Sequence, residues 1–224
     1  MLREIFNKLE KRSDKFVHYF PLYEKHFEKY IGKKPRILEI GVRGGGSLYM
    51  WKEYFGEGTV VHGVDIDAKC SIHADVLKDI HVTIGNGTSK DFWIREFKGQ
   101  TFDIIIDDGS HDNPDQIATL LYTYNMLSDG GTYWCEDTHT SYYTNRTDGG
   151  YKNPNSFTEY SKGIIDVLSD HHTRFAIGFG ELNGPHVNSE LLQVYNNIQG
   201  IHFYDSIVVL DKGERLTFKR VVKK

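Results

Sequence analysis

Five short apolar segments, each running out into glycine or acid, constrain this chain more than any other feature. They read RILEIGV (36–42), TVVHGVDID (59–67), HVTIGNG (81–87), TFDIIIDD (101–108) and GGTYWCED (130–137). Between them lie helical stretches: GSLYMWKEYF (46–55), SKDFWIREF (89–97, capped by Ser89) and PDQIATLLYTYNML (114–127, with Pro near its first turn). Near-continuous apolar strands alternating with helices predict a mostly parallel sheet covered on both faces. Right-handed crossovers make it doubly wound, an α/β Rossmann-like fold.

The flanks are read from periodicity. Residues 2–10 and 15–31 are expected to be helices; in the second, Phe16, Tyr19, Phe20, Tyr23, Phe27 and Tyr30 recur at steps of three and four. Ser13 or Asp14 would cap it, and Pro21 could split it. Residues 156–169 read as a helix, 173–179 as a strand, and 198–213 as strand material broken at Asp205–Ser206. The expected organisation is a single domain over 1–224. An N-terminal helical cap spans 1–33, a ligand-binding core 34–140, and a loop with C-terminal strands 141–224. The loop 142–160 is rich in tyrosine.

Composition excludes several classes. The net charge of -4 and the lack of a basic stripe argue against nucleic acid; FKRVVKK (218–224) is basic but short. No apolar run approaches the roughly 20 residues that span a bilayer, and the N-terminus lacks the apolar core of a signal peptide. No membrane contact and a cytoplasmic location are therefore expected. The two cysteines, Cys70 and Cys135, form no CxxC and no disulfide framework.

In open α/β sheets, ligands bind beyond the carboxyl ends of the strands, so those ends carry the functional signal. LEIGVRGGGS (38–47) is a strand, a glycine turn and a helix start. Its glycines are expected to let a ligand approach the backbone, and the helix start, with Ser47, to receive a carboxylate or phosphate. It matches neither G-x-G-x-x-G nor a phosphate-binding P-loop. Asp65 follows Gly41 by 24 residues, a spacing suited to a ribose hydroxyl. An adenosine-containing cofactor is expected, either NAD or S-adenosylmethionine. Glu39 before the turn, the GNG around Asn86 and the lack of a second nucleotide half favour S-adenosylmethionine.

IDDGSH and WCEDTH end two neighbouring strands. Asp107, Asp108, Glu136 and Asp137 are expected to converge there. Clustered carboxylates demand either a proton or a cation. Oxygen donors without cysteine select a hard ion, Mg²⁺, Mn²⁺ or Ca²⁺. His111, just beyond Asp108, is expected to act as a base.

Together LEIGV with GGSL and MW, DIIIDDGSH, and ED before TSYY resemble the metal-dependent sugar O-methyltransferases of macrolide biosynthesis, the mycinamicin and macrocin type. SDKFVHYFPLYEKHF (13–27) is similar to that family's N-terminal segment, and Asp108 precedes Glu136 by the fitting 28 residues. The resemblance covers about residues 13–145 and implies the class I methyltransferase fold with S-adenosylmethionine and Mg²⁺ (or Mn²⁺). It implies that Asp108, Glu136 and Asp137 hold the metal and that His111 is the general base. On the cofactor side it puts Asp65 at the ribose and the turn with Gly41, Arg43, Gly45 and Ser47 at the methionine end. Lys15, Tyr19 and Tyr23 would close over the cofactor, with Glu39, Asn86 and Asp107 beside it. Departures expected from the pattern are the lack of the long N-terminal extension of some members, His139 where an aromatic is usual, and a tyrosine-rich loop with its own sequence. The implied partner is a small-molecule, carbohydrate-bearing acceptor; a homo-oligomer is left open. The alternatives are a catechol-type metal-dependent O-methyltransferase, an NAD-type oxidoreductase and a non-catalytic S-adenosylmethionine-binding module.

Overall fold

The computed structural model describes residues 1–174, 189–214 and 223. Seven strands form one sheet: β1 (Arg36–Ile40), β2 (Val60–Asp65), β3 (Ile80–Ile84), β4 (Phe102–Asp107), β5 (Leu127–Cys135), β6 (Ile198–Tyr204) and β7 (Ile207–Lys212). Their order is β3-β2-β1-β4-β5-β7-β6. Strands β1 to β5 are parallel, and β7 runs antiparallel between β5 and β6. The described helices are α1 (Leu2–Asn7), α2 (Tyr19–Phe27), α3 (Gly46–Phe55), α4 (Lys90–Glu96), α5 (Asn113–Thr123), α6 (Phe157–Arg174) and α7 (Ser189–Tyr195).

The two-residue period of the strands divides the core. Ile37, Ile104, Ile106, Trp134 and Val209 face one side and pack with Tyr23 and Phe27 of α2 and Trp51 of α3. Leu38, Ile105, Tyr133, Val208 and Leu210 face the other and pack with Leu120 of α5 and Phe157 and Ile164 of α6. Both faces are covered, so the strands carry apolar residues at successive positions.

The core helices fall close to expectation. α3 matches its expected bounds, and the Ser89 hydroxyl accepts from the Phe92 amide (3.3 Å) as the cap of α4. The break at Asp205–Ser206 is the turn between β6 and β7. β5 begins three residues earlier than expected, at Leu127.

The N-terminal reading needs correction. α1 stops at Asn7 and α2 starts only at Tyr19, with His18, and not Ser13 or Asp14, at its N-cap position. Pro21 lies in the first turn of α2, where its missing N–H has no helical partner, so it splits nothing. A 3-10 turn (Glu28–Tyr30) completes the helix. Residues 8–18 form an irregular strap, and Phe16 is exposed outside the helical stripe. Of the strand expected over 173–179, residues 173 and 174 close α6; the rest lie outside the described residues.

Candidate active site

The strand order reverses between β1 and β4, and a cavity of about 850 Å³ opens at their carboxyl ends. Lys15, Tyr19, Gly41, Arg43, Ser47, Asp65, Asn86, Asp107, Asp108, His111, Glu136 and Asp137 all line it. Of the residues expected in the site, Tyr23, Glu39 and Gly45 do not.

The glycine turn is built by the protein's own contacts. Asp65 accepts the amides of Val42 (2.8 Å) and Arg43 (3.0 Å) on one oxygen and that of Asp67 (2.9 Å) on the other. Burial opposes its ionisation, but these donors outweigh it and hold the carboxyl below its usual pKa. Asp65 therefore ties β2 to the turn as well as facing the cavity. Gly41 has φ 94, and a Cβ there would lie 2.0 Å from the Asp108 carbonyl oxygen. At Gly44 and Gly46 a Cβ would meet the Arg12 carbonyl oxygen at 2.4 and 2.7 Å. Gly46 donates its amide to that same oxygen (3.1 Å). The strap and the end of β4 thus pack against the turn closely enough to require glycine at positions 41, 44 and 46.

The acidic side assembles from two adjacent strand ends. Asp107 pairs with Cys135 in the β4–β5 register, and the Glu136 amide donates to the Asp107 carbonyl (2.9 Å). Side-chain alternation then separates neighbours. Asp107 is buried, accepting from the Tyr133 hydroxyl (3.1 Å) and the Gly109 amide (3.3 Å); burial pushes its pKa up to about 7. Asp108, Glu136 and Asp137 gather around groups from the N-terminal segment. The Lys15 ammonium is 2.6 Å from Asp108 Oδ2 and 2.9 Å from Glu136 Oε2. The Tyr23 hydroxyl donates to Glu136 (2.5 Å) and the Tyr19 hydroxyl to Asp137 (2.6 Å). Burial and the Asp108 charge raise Glu136 to about 8, against the pull of Lys15 and Tyr23. Burial works against the Lys15 charge, but the three nearby carboxylates prevail and hold its pKa above normal. Tyr23 reaches the acidic cluster from beneath, fully buried.

His111 completes the cluster, its Nε2 3.4 Å from Asp137 Oδ2 and 3.9 Å from Asp108 Oδ1. Each of these three residues offers a ligand atom, all within 4.8 Å of one another. A second group among the described residues, His26, His202 and Asp211, meets the same spacing. Its atoms are already engaged: His202 with Asp211 (3.0 Å), His26 with the Tyr204 hydroxyl (2.9 Å) and Lys29 with Asp211 (3.3 Å).

The donor set at Asp108 and Asp137 suits a hard divalent ion, and the buried ammonium between Asp108 and Glu136 shows that the cluster takes positive charge. Glu39 is buried with no well-formed hydrogen bond at either oxygen. Burial raises its pKa to about 7, opposed by Lys15 at 3.9 Å.

Some of the site was not anticipated. Phe16 lines the cavity from the strap, and its ring lies 5.9 Å from His139, which is 5.5 Å from Tyr143. The Thr140 hydroxyl donates to the His111 carbonyl (2.8 Å), and Asp148 accepts from Asn113 at the start of α5. The tyrosine-rich loop is thereby fastened to the His111 side of the cavity. Its polar spacing offered no sequence signal for those pairings.

This strand order, with β7 antiparallel between β5 and β6 and a cavity at the reversal between β1 and β4, is that of the class I methyltransferase fold. Residues 38–138 match the family model described as a methyltransferase domain. The chain is 35% identical over 207 residues to mycinamicin VI 2''-O-methyltransferase of Micromonospora griseorubida, covering 88% of this chain and 49% of that protein. It is 32% identical over 212 residues to 8-demethyl-8-(2-methoxy-alpha-L-rhamnosyl)-tetracenomycin-C 3'-O-methyltransferase of Streptomyces olivaceus (90% and 51%). MycE methyltransferase from the mycinamycin biosynthetic pathway, solved in complex with Mg, SAH and mycinamycin VI, superposes with a TM-score of 0.77. That match has 28% identity and covers 95% of this chain and 53% of that one. The chain has the class I methyltransferase fold and resembles the macrolide sugar O-methyltransferases. It spans about half the length of the curated relatives it matches. Among the described residues, no helix is long and apolar enough to cross a membrane.

Proposed function

We propose that this chain transfers a methyl group from S-adenosylmethionine to a hydroxyl of a sugar or glycosylated small molecule, with Mg²⁺ at the acidic cluster. The observation that carries the reading is His111 Nε2 beside Asp137 and Asp108 in the cavity that the glycine turn also lines. A base, a set of hard-ion donors and an adenosine-type turn thus share one space. The rhamnosyl acceptor named for one relative and the Mg and SAH bound by MycE support the same assignment.

The turn from Gly41 to Ser47, with Asp65 and Asn86, would seat the cofactor. Asp108, Glu136 and Asp137 would hold the metal, which supplies positive charge for a developing alkoxide. His111 Nε2 takes the acceptor's hydroxyl proton, a role worth about 10²–10⁴-fold. The protein walls align the hydroxyl oxygen with the methyl group, and such positioning supplies much of the remaining rate. The oxygen forms its bond to the methyl carbon as the carbon–sulfur bond breaks; the sulfur keeps that electron pair and leaves as S-adenosylhomocysteine.

The test is calorimetric titration of S-adenosylmethionine, then of Mg²⁺ into the binary complex, with NADH as control, followed by methyl transfer to rhamnosides. Cofactor binding, a metal site lost in Asp108→Ala and methylated rhamnoside are expected. NADH binding in place of S-adenosylmethionine would overturn the reading.

A further inference from the structure

Three side chains from the N-terminal segment reach the acidic cluster, and one of them is charged. Tyr19 and Tyr23 donate neutral hydroxyls to Asp137 and Glu136. Lys15 puts an ammonium between Asp108 and Glu136, with Glu39 3.9 Å away, and its side chain is only 1% exposed. A buried charge persists only when paired, and these acids are its ion-pair partners.

We propose that Lys15 is the resident counter-ion of the metal site, so that a divalent ion loads by displacing its ammonium and thereby shifts the strap over the cavity. The inference rests on the metal-dependent reading above. Mg²⁺ binds oxygen at about 2.1 Å. An ion on Asp108 Oδ2 would therefore sit within about 5 Å of the ammonium 2.6 Å from that same oxygen. Two cations that close in a buried cluster repel strongly. The tyrosine hydroxyls are neutral and can stay, so the lysine is the group that must yield.

The displacement reaches beyond the metal. Lys15 belongs to the same strap as Arg12, whose carbonyl oxygen takes the Gly46 amide (3.1 Å) at the start of α3. Arg12, Ser13, Asp14 and Phe16 line the cavity. Withdrawing Lys15 removes the buried anchor that holds this strap down. Without metal the acids stay assembled and the strap is shut; with metal the strap is released over the space where cofactor and acceptor would meet.

The test uses Mn²⁺, a hard ion of similar ligand preference, with free Mn²⁺ read by electron paramagnetic resonance. Lys15→Met should bind Mn²⁺ at least about tenfold tighter than wild type, because the competitor is gone, whereas Lys15→Arg keeps the charge and should stay near wild type. In wild type, Mn²⁺ should speed tryptic cleavage after Lys11 and Arg12. Equal or weaker Mn²⁺ binding by Lys15→Met would overturn the counter-ion role while leaving the metal-dependent function standing. No Mn²⁺ binding by any of the three proteins would sink that function and this inference with it. If Lys15→Met fails to fold, wild-type proteolysis decides, and cleavage indifferent to Mn²⁺ overturns the proposal.

Discussion

His111 Nε2 lies 3.4 Å from Asp137 Oδ2, and both residues hold a left-handed backbone, with φ of 59° and 54°. That conformation costs a non-glycine residue of order 1 kcal/mol. Two strained residues whose side chains meet at a cavity are the pattern expected of a site in which geometry is kept at the expense of stability.

His111→Ala should lower methyl transfer by about 10²–10⁴-fold and leave S-adenosylmethionine affinity unchanged. Single-turnover rates alongside calorimetry check this. A variant of full activity would remove His111 from the mechanism.

Tyr23→Phe tests the support beneath the metal ligands. It removes the hydroxyl that donates to buried Glu136. Leaving a buried acceptor short of a donor costs about 1–3 kcal/mol. Urea unfolding should show that loss in the metal-free protein, and unchanged stability would mean that Glu136 finds another donor.

Gly44→Ala should loosen the strap. Its Cβ would sit 2.4 Å from the Arg12 carbonyl oxygen, and overpacking of this kind costs about 1–3 kcal/mol. Faster tryptic cleavage after Lys11 and Arg12 is expected. Wild-type cleavage kinetics in Gly44→Ala would show that the strap does not depend on that contact.

The His62–His81 pair predicts acid sensitivity. The two rings stack at 4.7 Å, and burial, His81 and Arg36 lower His62 to about 4. An unfolded histidine titrates near 6.5. Between about pH 6.5 and 4 the unfolded chain takes a proton that folded His62 refuses, so this residue's contribution to stability falls as pH falls through that window. His62→Gln should flatten the fall in urea midpoint between pH 7 and 5. An unaltered slope would assign the sensitivity to other groups, such as His26, also lowered to about 4 by burial.

The strands and core helices were legible because burial on both faces writes itself into the chain. β4 must be apolar at Ile104, Ile105 and Ile106 alike, as successive residues enter opposite cores. The strap was misread for the converse reason. Phe16 keeps helical spacing with Tyr19 and Phe20, but its ring lines the cavity, and the Arg12 carbonyl takes the Gly46 amide of the glycine turn. Periodicity reports spacing and not the surface on which a side chain lands.

The same division holds at the site. The sequence by itself determined that acids and glycines stand at the strand ends, since a doubly wound sheet brings every such end to one edge. It determined the neighbourhood of Asp108, Glu136, Asp137 and His111 through two adjacent strands. Only the tertiary structure decided the partners: that Asp65 is held by backbone amides of the turn, that Gly44 and Gly46 clear Arg12, and that Lys15 carries its charge into the acids. Those contacts join residues up to 121 positions apart in the chain, as Lys15 and Glu136 are. Such pairings leave no local period to read; they follow from where the packing of α1 against α3 and of α2 over the sheet leaves the strap between them.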